Sequence, residues 1–172
     1  KGLERVVLED FQPLIRPQRF YLLQETLKKY PLQQDPEPFV KTQGWYLRDI
    51  LSDLSEAEEK QVILYSRDGL KQHLTYPLHL SGAILEKTAE QHYNLKSPQI
   101  PGGMWMKDVI YLQCDNNALI SEDSINQLIR LAKILHWETT PEMQFRIVFE
   151  DREEVMNFTD ALAEPQVFRG AL

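Results

Sequence analysis

Apolar residues recur along this chain at two different spacings, and the spacing changes toward the C-terminal third. In "RFYLLQETLKKY", Phe20, Leu23, Leu27 and Tyr30 recur every three or four residues, with Lys28 and Lys29 opposite. That pattern predicts an amphipathic helix stopped by Pro31. "GLERVVLEDFQPLI" places Leu3, Val6, Val7 and Phe11 at helical spacing up to Pro13. "GWYLRDILSDL" repeats the pattern with Leu47, Ile50, Leu51 and Leu54. Ser55 and Glu58 then fit a capping box, in which hydroxyl and carboxylate satisfy free backbone amides at a helix start. The preferred reading of "EAEEKQVILYS" is therefore a further helix. The competing reading is a strand at "QVILYS", turned by Asp68-Gly69 into "LKQHLTY". "HLSGAILEKTAEQHYNL" predicts another helix from Ser81, with Ile84, Leu85 and Ala89 inward.

The last third switches period. "DVIYLQC" reads as a strand. "SEDSINQLIRLAKILHW" reads as a helix capped by Ser121, with Ile125, Leu128, Ile129, Ala132 and Leu135 on one face. "MQFRIVFED" alternates, with Met143, Phe145, Ile147 and Phe149 on one side and Gln144, Arg146 and Glu150 on the other. Asp151 and Glu154 form a second capping box, before "REEVMNFTDALA". The expected fold is α+β: a helix-rich N-terminal two-thirds packed with a small C-terminal sheet built around a β-α-β-α unit. Residues 1–172 are read as one domain, with a candidate sub-boundary in the proline-rich stretch 31–38.

Composition narrows the function classes. The chain has 172 residues and is 42% apolar, enough to bury a core without crosslinks. Its net charge of -7 disfavours direct nucleic-acid binding, because an acidic surface repels phosphate. The single cysteine, Cys114, allows no internal disulfide and suits the cytoplasm. No apolar run reaches the length of a membrane span. Lys1 rather than Met opens the sequence, so a piece of a longer chain is expected.

Chemistry has few footholds. The sequence carries no Walker A loop, dinucleotide fingerprint, nucleophile elbow or metalloprotease helix. His73, His79, His92 and His136 are dispersed and cannot form a closed zinc set with one cysteine, so no metal or cofactor is expected. The candidate catalytic residues are carboxylates at predicted strand ends, Asp115, Glu150 and Asp151. If the two strands were parallel neighbours, these groups could share one Mg²⁺ ion and serve a metal-assisted hydrolase or nuclease. Cys114 reads as a buried small hydrophobe, and Gly102-Gly103 precede a strand rather than the helix a phosphate loop needs.

Adaptable contact residues point another way. Met104, Trp105 and Met106 follow a proline and two glycines, and "EPQVFRGAL" ends the sequence with Phe168 and Leu172. Methionine and tryptophan favour contact surfaces. The leading expectation is a non-catalytic protein-protein interaction module: an adaptor, a chaperone-like subunit or a domain of a larger assembly. Its partner is a protein, met through Met104, Trp105, Met106, Phe168 and Leu172. A third reading is a regulatory domain that docks an acidic face on a basic subunit of a nucleic-acid machine.

Overall fold

A computed structural model describes residue 17 and residues 19–127, 144–148 and 151–157. It is mostly β, which overturns the helix-rich α+β expectation. The described strands are β1 (Arg19–Leu22), β2 (Gln33–Gln34), β3 (Gln43–Tyr46), β4 (Lys60–Ser66), β5 (Lys71–Tyr76), β6 (Ile84–Lys87), β7 (Tyr93–Lys96), β8 (Val109–Cys114), β9 (Asn117–Ile120), β10 (Gln144–Val148) and β11 (Glu153–Asn157). The described α-helices are α1 (Leu23–Leu27) and α2 (Leu47–Leu54). One sheet runs β11-β10-β1-β9-β8-β4-β5, and a second runs β2-β3-β6-β7. In the larger sheet β1 is parallel to both β9 and β10, while the other pairings are antiparallel.

Each departure from the expectation has a local cause. "QVILYS" is buried at Val62, Ile63, Leu64, Tyr65 and Ser66. Such a run fits a strand covered on both faces as well as a helix, because alternation vanishes when neither face meets water. Gly69 at φ 98° takes the turn, and β4–β5 is the hairpin of the competing reading. Ser55 starts no helix. It follows the last residue of α2 in extended conformation, and its hydroxyl donates to Asp115. The stretch from Ser81 forms a turn and then the β6–β7 hairpin. The second capping box fails in the same way, since Glu153–Asn157 pairs antiparallel with β10.

Other expectations meet the structure in part. The predicted helix over 20–30 keeps only α1, with Phe20 in β1. Its neighbour keeps α2, and Leu47, Ile50, Leu51 and Leu54 are buried as the spacing requires. The strands at 109–114 and 144–148 are present. They do not form a βαβ pair, because β9 and β1 lie between β8 and β10, and β8 runs antiparallel to β9. Glu122–Gln127 is 3-10 helix, and the rest of the helix expected to Trp137 lies outside the described residues. So does the first one, at 3–11. Among the described residues no helix is long and apolar enough to cross a membrane.

The main core lies between the two sheets and the helices. It unites Leu23 and Leu27 of α1, Ile50 and Leu51 of α2, Val62, Leu64 and Leu112 of the larger sheet, and Trp45, Leu85 and Leu95 of the smaller one. A bridge between Leu95 and Met106 ties the sheets together, with N···O distances of 2.7 and 3.0 Å. Close contact also holds the smaller sheet, where Gly44 of β3 faces Glu86 of β6. A Cβ on Gly44 would sit 2.7 Å from Ile84 Cγ2 and 2.8 Å from the Leu85 carbonyl oxygen. Gly44→Val is expected to push β3 from β6 and cost about 1–3 kcal/mol in urea unfolding.

Candidate functional site

Two places draw several chain segments together. The first is a corner where the chain prepares to enter β8. Pro101 leads into a 3-10 turn, Gly102–Met104, closed by Met104 N–H to the Pro101 carbonyl at 2.9 Å. Met104 points outward and is 38% exposed, Trp105 is half-buried, and Met106 is 1% exposed within the core.

Trp105 is held from several sides. Its indole N–H donates to the Ser97 carbonyl at 2.9 Å, and its ring lies 5.8 Å from the Phe39 ring. Lys96 Nζ lies 5.7 Å from the Trp105 ring centroid. The Gln72 amide of β5 donates to the Met104 carbonyl at 2.5 Å. The turn after β5 carries a second exposed apolar residue, Leu78, which is 69% exposed. That turn is fixed by His79, whose Nδ1 accepts from the Thr75 amide at 2.9 Å. The Ser97 hydroxyl donates to the His79 carbonyl at 2.6 Å and so links the two turns.

The second place is a polar cleft of about 470 Å³. It opens at the edge where the parallel strands β1 and β9 end and where β8 begins. Ligands of α/β sheets gather outside the carboxyl ends of parallel strands. Gln24 of α1, Arg67 from the β4–β5 turn, Glu90 and His92 from the β6–β7 turn, and Asp108 and Asp123 line it, with Tyr93 and Ser121. Arg67 Nε donates to Asp108 Oδ2 at 2.7 Å, and its Nη2 donates to Asp123 Oδ1 at 3.3 Å. Asp108 has φ 53°, an unusual backbone for a residue with a side chain, and its amide donates to Asn94 Oδ1 at 2.9 Å. His92 Nδ1 stands 3.7 Å from Asp108 Oδ2. Burial raises the Asp123 carboxyl, but hydrogen bonds from Ser121 and Ser124 and the charge of Arg67 outweigh it and hold the group below its ordinary value. Both serine hydroxyls donate to Asp123 rather than to a histidine base that would activate them for attack.

The carboxylates expected to share a metal do not meet. Asp115 takes φ 53° in the turn between β8 and β9, where it accepts from Ser55. Asp151 lies in the connection from β10 to β11. Because β8 and β10 run in opposite directions, these two carboxylates lie at opposite edges of the sheet. Three strand spacings, roughly 14 Å, also separate the strands laterally. One ion cannot bridge that span. Glu150, Phe168 and Leu172 lie outside the described residues.

Cys114 is buried, and burial followed by the charge of Asp115 pushes its thiol up to about 12. A thiol held protonated is a poor nucleophile. No local pattern of residues marks the cleft. Its residues come from five separated segments, and only the strand directions bring them together.

His73 of β5 adds a testable feature of the larger sheet. Its Nε2 lies 2.7 Å from Gln61 Oε1. Burial, and then the charge of Lys71, push its pKa from 6.5 down to about 3. Between those two values the unfolded chain binds a proton that the folded chain refuses, so stability falls as pH drops from about 6.5 toward 3. His73→Gln is expected to flatten that decline when urea midpoints are compared at about pH 7 and pH 4.5.

Comparison with family models, curated proteins and solved structures found no match to this chain.

Proposed function

We propose that the protein is a non-catalytic protein-protein interaction module, an adaptor, chaperone-like subunit or domain of a larger assembly, and that its partner docks on the corner carrying Met104 and Leu78. The observation that supports this is the rigid presentation of exposed apolar side chains. Met104 stands on a turn pinned through Gln72 and Trp105, and Leu78 on a turn pinned through His79 and Ser97. Ordering a loop costs free energy on binding, and turns already fixed by hydrogen bonds avoid much of that cost. Exposed methionine and leucine held in this way suit the centre of a docking patch, and methionine adapts to irregular partner surfaces.

The direct test is photo-crosslinking from a benzoylphenylalanine placed at Met104, in a lysate of the source cells. A discrete adduct is expected there. The same probe at Asp151, in the exposed β10–β11 connection across the larger sheet from β5, serves as the control and should give none. Equal labelling from both positions would count against a defined partner surface.

A further inference from the structure

We propose that the polar cleft is a second binding site, distinct from the apolar corner, and that it takes an organic cation bearing an ammonium or guanidinium group. Its volume of about 470 Å³ falls within the range of small-molecule sites, and four connections and one helix converge on it at the carboxyl ends of β1 and β9. Its walls set three carboxylates, those of Glu90, Asp108 and Asp123, against one guanidinium, that of Arg67.

The arrangement of those groups decides the sign of the ligand. Arg67 is clamped between Asp108 and Asp123, so its charge is already answered and an anion would meet surplus carboxylate. The clamp uses Oδ2 of Asp108 and leaves Oδ1 with no hydrogen bond among the described residues. Asp108 is fixed there by its amide bond to Asn94 and by the Arg67 amide on its carbonyl at 2.9 Å. The carboxylate of Glu90 carries no ion pair among the described residues. His92 adds a ring nitrogen beyond the one facing Asp108. The cleft therefore offers fixed acceptors to a donor-rich, positively charged group, and the net charge of -7 draws such a group in.

Two sources supply this chemistry: a free polyamine, and a basic side chain of a peptide. Titration of the isotope-labelled full chain with spermidine, and separately with acetyl-Gly-Arg-Gly-amide, distinguishes them by which one saturates at lower concentration. Saturable shifts are expected at the amides of Arg67, Glu90 to His92, Asp108 and Ser121 to Asp123. Glu90→Gln should weaken binding about threefold, the scale of one exposed charge contact. Glu58→Gln, an equal loss of charge at an exposed position away from the cleft, should leave binding unchanged. Equal losses from both variants, or shifts spread over every acidic surface, would overturn the site. Glucose shifting the same amides as strongly as spermidine would overturn its cationic chemistry. Because neither Met104 nor Leu78 takes part, failure here leaves the corner untouched, and failure of the corner leaves this result standing.

Discussion

Replacing Glu86 with alanine is expected to destabilise the protein by about 3–5 kcal/mol, the cost of stranding a buried charge. Glu86 lies in β6 with its side chain 7% exposed, and its carboxylate stands 3.1 Å from Lys96 Nζ of β7. The same carboxylate accepts the Lys41 backbone amide at 3.0 Å. Lys96 Nζ also donates to the Phe39 carbonyl at 3.3 Å and lies near the Trp105 ring. Glu86→Ala removes the only carboxylate in that set. It leaves an ammonium facing one carbonyl and an aromatic face, and a backbone amide without its acceptor. The pair itself does not account for a gain of that size, since desolvation offsets most of its attraction. Glu86→Leu combined with Lys96→Met is therefore expected to recover most of the loss. Urea unfolding of the single and double variants separates the two effects. A loss below about 1 kcal/mol for Glu86→Ala would mean that the pair behaves as an exposed one.

Leu64→Ala is the second large effect, expected at about 2–5 kcal/mol from lost burial and the cavity left behind. Leu64 is 0% exposed and sits in β4 between β5 and β8, opposite Gln72 and Leu112. Its neighbour Ile63 points to the other face and is 7% exposed. Ile63→Ala is expected to fall in the same range. Two consecutive positions that each cost this much mark a strand buried on both faces. Equilibrium unfolding of the two variants is the measurement, and a small loss at either position would contradict two-sided burial.

That two-sidedness explains much of what the sequence concealed. Where one face met water, the pattern was legible: Ile147 is buried and Arg146 exposed in β10, and the apolar stripe of α2 is where spacing put it. Where both faces are covered, as from Val62 to Ser66, alternation disappears and helix and strand look alike. The capping boxes misled for another reason. Ser55 and Asp151 have side chains suited to a helix start, but the same side chains satisfy turns. Ser55 serves the β8–β9 turn through Asp115, and Asp151 pairs with Arg152 at 2.9 Å beside the turn into β11.

Of the candidate contact residues, Met104 is 38% exposed, whereas Met106, grouped with it in the sequence, is 1% exposed. The bridge to Leu95 draws Met106 inward, and no local pattern announces a bridge to a strand eleven residues earlier. The cleft was hidden for a similar reason. A rule about the carboxyl ends of strands pointed to Asp115, but β8 is antiparallel, and the rule applies instead to β1 and β9 at the opposite edge.

The central functional claim is that Leu78 and Met104 form the docking surface for a protein partner. Competition tests it most directly, using the crosslinked adduct formed from the probe at Met104. Excess unlabelled wild-type protein is expected to abolish the adduct, while excess Leu78→Asp/Met104→Asp leaves it intact. Both side chains are exposed, so the double variant should keep its unfolding midpoint, with each change worth no more than about 0.5 kcal/mol. Equal competition by a stably folded double variant would contradict the claim.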